Sequence, residues 1–255
     1  MTSNLNKIAL VTGGSRGLGK DMALQLAEKG FDVVVTYRNR SADAEITVST
    51  IKSIGRNAHA LQLDVSESSS FDEFVKNLSA VLKSEFDSNK IDALVNNAGI
   101  GYHQSFSEST EEDFDNLVNI HLKAPYFLTQ KLLPLLNDGS SIVNISSGLA
   151  RFSFPGYSAY ATMKGGVEVF TKYLAKELGE RNIRVNVVAP GAIETDFGGG
   201  VVRDNQELNS MISSLTALGR VGLPDDIGGV VAFLCSDESK WVNAQRIEVS
   251  GGIFV

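Results

Sequence analysis

The chain has 255 residues, of which 43% are hydrophobic and 21% are charged, and its formal net charge is −7. This length and apolar content suit one α/β domain over residues 1–255. The acidic excess and the scattered basic residues argue against a nucleic-acid partner, and no stretch approaches the roughly 20 apolar residues that a membrane-spanning helix needs.

The first apolar run begins within the first ten residues, which leaves no room for a secretion signal before it. A cytoplasmic location is therefore expected. Seven apolar, β-branched runs alternate with longer segments of helical periodicity, and we predict that the runs form parallel strands covered by helices on both faces. The predicted strands are residues 8–11, 33–36, 58–63, 91–95, 141–145, 183–188 and 247–249.

A glycine-rich turn follows the first predicted strand and precedes a helical run. Its sequence is Thr12-Gly13-Gly14-Ser15-Arg16-Gly17-Leu18-Gly19. Glycines in this pattern allow a tight turn and a close approach of the backbone to a pyrophosphate, which the N-terminus of the next helix attracts. The pattern predicts a dinucleotide site.

The residues after the second predicted strand indicate which dinucleotide binds. An NAD site usually places a carboxylate there, whereas this chain has Tyr37-Arg38-Asn39-Arg40. A guanidinium suits a 2′-phosphate, and Arg16 could reach the same group. The predicted cofactor is therefore NADP(H).

Ser109-Thr110-Glu111-Glu112 predicts a capping box that opens a long helix reaching toward Leu136, with Pro134 near its end.

Farther along, residues 197–218 show the least regular pattern, and they open with three glycines after Phe197. We predict that this segment is a flexible flap over the substrate.

Four polar residues are candidates for proton transfer. Tyr160 and Lys164 are spaced i, i+4, so an ammonium one helical turn away would favour the phenolate and lower the pKa of the tyrosine. Ser147 and Asn119 precede them and complete the predicted catalytic set.

These motifs, in this order, resemble those of the classical short-chain dehydrogenase/reductase (SDR) family over nearly the whole chain. The resemblance implies a Rossmann-type, doubly wound, seven-stranded parallel sheet in the order 3-2-1-4-5-6-7, and a homotetramer built through the long helices. The matching positions are residues 12–19, Asp64-Val65, Asn96-Asn97-Ala98-Gly99, Asn119, Ser147, Tyr160, Lys164, Pro190-Gly191 and Thr195.

The resemblance also implies which residues bind the cofactor. Asp64 would accept a hydrogen bond from the adenine amino group and Val65 would pack on the ring. Residues 97–99 would line the adenosine ribose, although a structural role for the asparagines of this turn stays equally open. Ile193 and Thr195 would hold the nicotinamide carboxamide. The full predicted set is Gly13, Ser15, Arg16, Gly17, Leu18, Gly19, Tyr37, Arg38, Asp64, Val65, Asn97, Ala98, Gly99, Tyr160, Lys164, Pro190, Gly191, Ile193 and Thr195.

The implied chemistry is reduction of a carbonyl to an alcohol. Tyr160 would donate a proton to the carbonyl oxygen as hydride reaches the carbon, and Ser147 would polarise that oxygen. Lys164 would bond the nicotinamide ribose and, with the cationic ring of the oxidised cofactor, depress the pKa of the tyrosine. Asn119 would support a water that links Lys164 to solvent.

The predicted function is an NADP(H)-dependent reductase of a small carbonyl compound. Phe152, Phe154, Tyr157 and Phe197 favour an apolar or ring-bearing substrate, and 3-oxoacyl thioesters, sugars and cyclic ketones such as steroids all stay open. The alternatives are an NAD-dependent alcohol dehydrogenase and a regulatory protein that binds the cofactor without turnover.

No metal site is predicted, because His59, His103 and His121 lack metal-ligand spacing with cysteines or carboxylates. All three are interpreted as surface or packing residues, with His103 nearest to the expected cleft.

Overall fold

The computed structural model describes residues 6–255, in which the seven predicted strands form one sheet. The order of the strands is β3-β2-β1-β4-β5-β6-β7, and every neighbouring pair is parallel. The predicted fold and strand order are therefore confirmed. The strands are β1 (Ile8–Val11), β2 (Asp32–Tyr37), β3 (Ala58–Gln62), β4 (Ile91–Asn96), β5 (Leu136–Ile145), β6 (Arg184–Pro190) and β7 (Arg246–Val249).

Helices cover both faces of this sheet, as the near-continuous apolar strands require. Within residues 6–255, no helix is both long enough and apolar enough to cross a membrane. The α-helices are α1 (Gly17–Glu28), α2 (Ser41–Ser53), α3 (Phe71–Phe86), α4 (Glu111–Val118), α5 (Ala124–Leu132), α6 (Ser158–Glu177), α7 (Val201–Asp204), α8 (Gln206–Ser214) and α9 (Asp225–Cys235).

Alternate residues of each strand pack into separate cores on the two faces. In β1, Ala9 and Val11 belong to the core that α1 and α9 cover, whereas Ile8 and Leu10 belong to the core that α3 and α5 cover. Burying one large aliphatic side chain contributes about 1.5–3 kcal/mol. The two cores therefore hold the strands in place and leave their carboxyl ends open at one edge.

The long helix expected from residue 109 toward Leu136 is present without a break from Glu111 to Leu132, and a 3₁₀ turn with Pro134 follows it. Thr110 caps α4 by accepting a hydrogen bond from the backbone N–H of Asp113 at 3.1 Å. A π-helical turn over Asn119–Lys123 then joins α4 to α5. Pro125 follows this turn and has no N–H to give to the carbonyl four residues earlier, so the turn widens there instead of continuing as a regular helix.

The segment predicted to be irregular, residues 197–218, contains two helices, α7 and α8. Gly198, Gly199 and Gly200 have φ angles of 61°, 80° and 79°, which explains why glycines stand there. The expectation of irregular structure was therefore wrong. The predicted flexibility of the segment stays a prediction.

Candidate active site

The carboxyl ends of the strands open into one cavity of about 550 Å³. Doubly wound sheets place their ligands at this edge. All the predicted cofactor-binding residues line the cavity, and so do Ser147, Tyr160 and Lys164. Asn119 is the one predicted site residue that does not line it.

The glycine turn has the geometry that a pyrophosphate needs. Gly13 and Gly17 have φ angles of +68° and +54°, and a side chain at Gly19 would collide with the carbonyl oxygen of Gly13. Helix α1 begins here, and its N-cap residue Arg16 makes no capping hydrogen bond with its side chain. The first N–H groups of α1 therefore lie uncapped at the cavity, and this helix end fits an anionic group.

Two asparagines at the end of β4, Asn96 and Asn97, form hydrogen bonds that hold neighbouring segments together, and Asn97 also lines the cavity. Thr12 Oγ1 accepts the backbone N–H of Asn97 at 2.9 Å, and Asn97 Nδ2 donates to the Thr12 carbonyl at 2.9 Å. Asn96 Nδ2 donates to Asn144 Oδ1 at 2.8 Å on the neighbouring strand β5. The side chains of both asparagines thus act structurally, which was one of the two roles left open.

Cationic residues gather after β2. Arg16, Arg38 and Arg40 all line the cavity, and Arg40 was not among the predicted residues. Nε of Arg38 lies 2.7 Å from Oδ2 of Asp64. Burial raises the pKa of Asp64, but hydrogen bonds from Ser66 and then the charge of Arg38 outweigh it, so the net shift is downward and the group stays a carboxylate. Arg38 and Arg40 suit a phosphate at this end. The guanidinium of Arg16, the N-cap residue of α1, pairs with Asp196 at 2.9 Å.

Tyr160 lies in the first turn of α6 with 7% of its surface exposed. Burial raises the pKa of Tyr160 above its ordinary value, and a hydrogen bond from Ser147 only partly offsets this. In the chain alone the net shift is therefore upward, opposite to the lowering expected from the i, i+4 ammonium, and burial is its largest cause. Tyr160 is therefore a neutral phenol at neutral pH, the form that can give up a proton.

Lys164 is buried beside this phenol. Its Nζ lies 5.4 Å from the centre of the Tyr160 ring and donates to the carbonyl of Ile145 at 2.9 Å. Burial lowers the pKa of Lys164 to about 8. At pH 7 the amine is therefore still mainly an ammonium, which stabilises negative charge on the tyrosine oxygen.

Ser147 follows the end of β5 and begins the short 3₁₀ turn Gly148–Ala150. Its Oγ accepts the backbone N–H of Leu149 at 3.2 Å. The Ser147 hydroxyl also lowers the pKa of Tyr160, against the rise that burial causes. Ser147 and Tyr160 thus form one polar pair in the wall of the cavity.

His121 lies where the catalytic asparagine was expected. It is 2% exposed, lines the cavity and packs edge-to-face on Tyr160, with the ring centres 5.3 Å apart. Of the two roles expected for His121, on the surface or in packing, the structure shows packing, and it places the residue in the wall of the cavity. The sequence gives no sign that His121 rather than Asn119 lines the cavity, because the π-helical turn determines which of the two side chains faces it.

The rest of the cavity wall is apolar. Phe152, Phe154, Tyr157 and Phe197 line it as predicted. Side chains from residues 202–215, within the predicted flap, add to the wall. Residues at the C-terminus add to it as well, and the sequence analysis did not predict these. The spacing i, i+4, i+7 along α8 was the available signal for part of this set. The additional apolar residues are Val202, Leu208, Ile212, Leu215, Ile253 and Phe254.

Nearly the whole chain is similar to known reductases. The family model described as Enoyl-(Acyl carrier protein) reductase matches residues 13–253. The 3-oxoacyl-[acyl-carrier-protein] reductase FabG of Staphylococcus epidermidis is 37% identical over 253 residues, which cover 98% of this chain and 100% of that relative.

Two solved structures of ketoreductases share the fold. The promiscuous reductase LugOII, which catalyses keto-reduction at C1 during lugdunomycin biosynthesis, has a TM-score of 0.93 and 36% identity, covering 99% of this chain and 100% of its own. The angucycline C-6 ketoreductase LanV, solved with bound NADP, has a TM-score of 0.93 and 34% identity, covering 98% of this chain and 97% of its own.

Proposed function

Because the chain belongs to the short-chain dehydrogenase/reductase family, we propose that it is an NADP(H)-dependent oxidoreductase that reduces a small-molecule carbonyl to an alcohol. The observation that carries the proposal is the grouping of Ser147, Tyr160 and Lys164 in one cavity with the uncapped N-terminus of α1. Binding alone does not need a proton donor at such a position. This argues against a regulatory protein without turnover.

The cofactor assignment depends on the residues after β2. No carboxylate lies in residues 37–40, and Arg38 and Arg40 line the cavity there, while Arg16 lines it from the start of α1. A 2′-phosphate would accept their charge-assisted hydrogen bonds, and the uncapped turn of α1 would hold the pyrophosphate. The NADP in the LanV structure supports this choice over NAD(H).

In the proposed reaction, bound NADPH supplies the hydride. Ser147 Oγ donates a hydrogen bond to the carbonyl oxygen and orients it. The neutral phenol of Tyr160 gives its proton to that oxygen as the carbon is reduced, and the ammonium of Lys164 stabilises the phenolate that remains. The apolar wall excludes water from the reacting atoms.

We propose a ring-bearing, apolar ketone as the substrate. Phe152, Phe154, Tyr157 and Phe254 present aromatic faces to the cavity, and α8 adds aliphatic side chains. LugOII is named for keto-reduction at C1 during lugdunomycin biosynthesis and LanV as an angucycline C-6 ketoreductase, which supports a ketone as the substrate. A 3-oxoacyl thioester is the second candidate, and the identity to FabG favours it.

The homotetramer predicted from the sequence stays a proposal, and so does the cytoplasmic location. The outer faces of α4 to α6 carry exposed hydrophobic residues, which supports an association face on these helices. These residues are Phe114, Tyr126, Phe127, Val169 and Tyr173. Light scattering of the purified protein would measure the assembly, with four copies as the expected result.

The function is tested by following NADPH oxidation at 340 nm with a panel of cyclic aromatic ketones, 3-oxoacyl thioesters, sugars and simple aldehydes. We expect turnover of the cyclic ketones that Tyr160→Phe loses while it still binds NADPH. Faster turnover of thioesters would favour the second candidate. Tight NADPH binding with no turnover on any compound would contradict the reductase assignment.

A further inference from the structure

His121 lies between the catalytic residues and a second, smaller cavity behind them. Its ring packs on Tyr160 with the planes at 85°. The ring is also close to the backbone of Gly99, where a Cβ atom would stand 2.7 Å from Cε1 of the imidazole. Contacts with the Tyr160 ring and with the backbone of Gly99 therefore fix the position of the His121 ring.

The contacts of the ring define its tautomer. Nε2 lies 3.0 Å from the carbonyl oxygen of Ile100 and 3.4 Å from the backbone nitrogen of the same residue. Because a carbonyl oxygen only accepts, the shorter contact assigns the proton to Nε2 and leaves a lone pair on Nδ1. Nδ1 is buried and has no hydrogen-bonding partner among residues 6–255. A buried acceptor of this kind calls for a donor.

The smaller cavity offers a place for that donor. It has a volume of about 20 Å³ and is lined by His121 and Lys164, with polar atoms also from Thr12, Asn96 and Asn144. One water needs roughly 10–15 Å³ and two to four polar partners. The ammonium of Lys164 has three N–H groups, of which one donates to Ile145. A water here can accept from Lys164 and donate to Nδ1 of His121.

The charge state of the imidazole fits this role. Burial, followed by the charge of Lys164, holds the pKa of His121 well below its usual 6.5. Lys164 is the other titratable group in the wall of the smaller cavity, and Tyr160 is the titratable group that faces the ring from α6. His121 is therefore neutral at pH 7. A proton on Nδ1 would remove the acceptor and place a second cation beside the ammonium.

We propose that His121 is a positioning residue for proton supply: its Nδ1 orients a water that bonds to Lys164. This inference rests on the proposed reductase function. For each alcohol formed, Tyr160 gives one proton to the carbonyl oxygen, and one proton returns to it from solvent. Lys164 and the oriented water lie on that return route, while Asn119, the residue predicted for this task, lies outside the larger cavity.

Two variants distinguish the effect of losing the Nδ1 acceptor from the effect of changing the shape of the side chain. His121→Phe keeps an aromatic ring against Tyr160 but lacks Nδ1, whereas His121→Asn keeps a hydrogen-bond acceptor. We expect His121→Phe to lower kcat at pH 7 by at least roughly tenfold, as for loss of one hydrogen bond to a charged group, with KM and the NADPH Kd unchanged. His121→Asn should retain most of the wild-type kcat. His59→Phe and His59→Asn on β3 are the controls, because His59 lines neither cavity.

The pH dependence of kcat tests the proposal, because a histidine that only packs against Tyr160 would not change it. Wild-type kcat should fall at acidic pH, well below 6.5, as His121 gains a proton, and His121→Asn should lack this fall. Wild-type kcat in His121→Phe would overturn the proposal, as would His121→Asn that folds and binds NADPH but is as slow as His121→Phe.

A measurement without substrate keeps this inference separable from the proposed function. In protein labelled with ¹⁵N-histidine, we expect the His121 ring to be neutral, with its proton on Nε2, from pH 7 down to pH 6. The signal is identified by its loss in His121→Asn. A charged ring or a proton on Nδ1 at pH 7 overturns the role of His121, whether or not any ketone is turned over.

Discussion

Arg38 and Asp64 form an ion pair just beyond the carboxyl ends of β2 and β3, with 2.7 Å between Nε and Oδ2. The pair uses one N–H of the guanidinium, which has four more in its planar fork. The Arg38 side chain is 59% exposed, so an incoming phosphate can reach it. Asp64 thus orients the arginine without neutralising its ability to bind a second anion.

Arg38→Ala should weaken NADPH binding by roughly 10- to 100-fold, because charge-assisted hydrogen bonds to the 2′-phosphate are lost. NADH has no such phosphate, so its Kd should change by less than about threefold. Fluorescence titration of both cofactors measures the difference. Lys52→Ala on the exposed face of α2 removes the same charge away from the cavity. Equal losses for NADPH and NADH would contradict the cofactor assignment.

Tyr160→Phe should lower kcat by about 10²- to 10⁴-fold, the usual contribution of a positioned proton donor. The phenyl ring still fills the space against His121, so NADPH binding and the melting temperature should stay near wild type. Stopped-flow turnover and cofactor titration measure the two effects. The control is Tyr173→Phe on the same helix, because that side chain is 67% exposed. Substantial turnover by Tyr160→Phe would assign the proton donor elsewhere.

Carbonyl reduction should slow as the pH rises through about 8. Burial lowers the pKa of Lys164 to about 8, so above that value the ammonium that stabilises the phenolate is lost. Burial raises the pKa of Tyr160, so loss of its own proton does not cause a fall in this range. The measurement is kcat/KM between pH 6 and 9.5, which reports the free enzyme. A kcat/KM that stays constant up to pH 9.5 would contradict the role of the Lys164 ammonium in stabilising the phenolate.

The sequence predicted the sheet and most of the cavity wall because those features depend on local pattern. A parallel strand buried on both faces is a continuous apolar run, and a turn at Gly13 and Gly17 requires positive φ angles. The sequence did not indicate that His121 rather than Asn119 lines the cavity, because a π-helical turn covers both residues. Phe254 was missed because its contact with Phe152 joins distant parts of the chain.

For the chain alone, the pKa of Tyr160 was predicted in the wrong direction, for a related reason. The spacing between Tyr160 and Lys164 is local and visible in the sequence, and it argues for a lower pKa. The depth at which the fold buries the phenol is not visible there. In the chain alone, desolvation of the tyrosine is the largest cause of its shift and raises the pKa. The predicted lowering also included the cationic ring of the oxidised cofactor, so for the complex it stays a prediction.

Asp21→Asn should stabilise the protein at pH 7.5. Burial, followed by the charge of Asp225, raises the pKa of Asp21 to about 6, and its Oδ2 has no partner among residues 6–255. The folded state therefore binds more protons than the unfolded state between pH 4 and 6, and the stability from this group is lost as the pH rises through about 6. After discounting for partial exposure, we expect a gain of about 1 kcal/mol.

Urea unfolding at pH 7.5 and at pH 5 measures this effect, and the difference between Asp21→Asn and wild type should shrink at pH 5. Glu45→Gln, on the exposed side of α2, removes one negative charge at the surface and serves as the control. A gain of equal size at both pH values would show that the buried charge of Asp21 is not its cause.

The C-terminal residues should select for ring-bearing ketones. Phe254 lines the cavity and lies 4.7 Å from the Phe152 ring, centre to centre. Its φ angle of 55° is unfavourable for an aromatic residue, yet its N–H donates to the Leu215 carbonyl at 3.1 Å and Arg151 donates to the Ile253 carbonyl at 2.9 Å. These bonds hold the tail in place against the strain.

Phe254→Ala should therefore raise KM for a cyclic aromatic ketone by roughly tenfold, since an aromatic pair and its buried area are lost. The NADPH Kd should not change, because the glycine turn and the arginines after β2 are untouched. KM for a short aliphatic ketone, which does not reach the aromatic wall, should change by less than about twofold. Val255→Ala is the matched control, because that side chain is 93% exposed. An equal rise in KM for both ketones would mean that Phe254 holds the local backbone rather than recognising the ring.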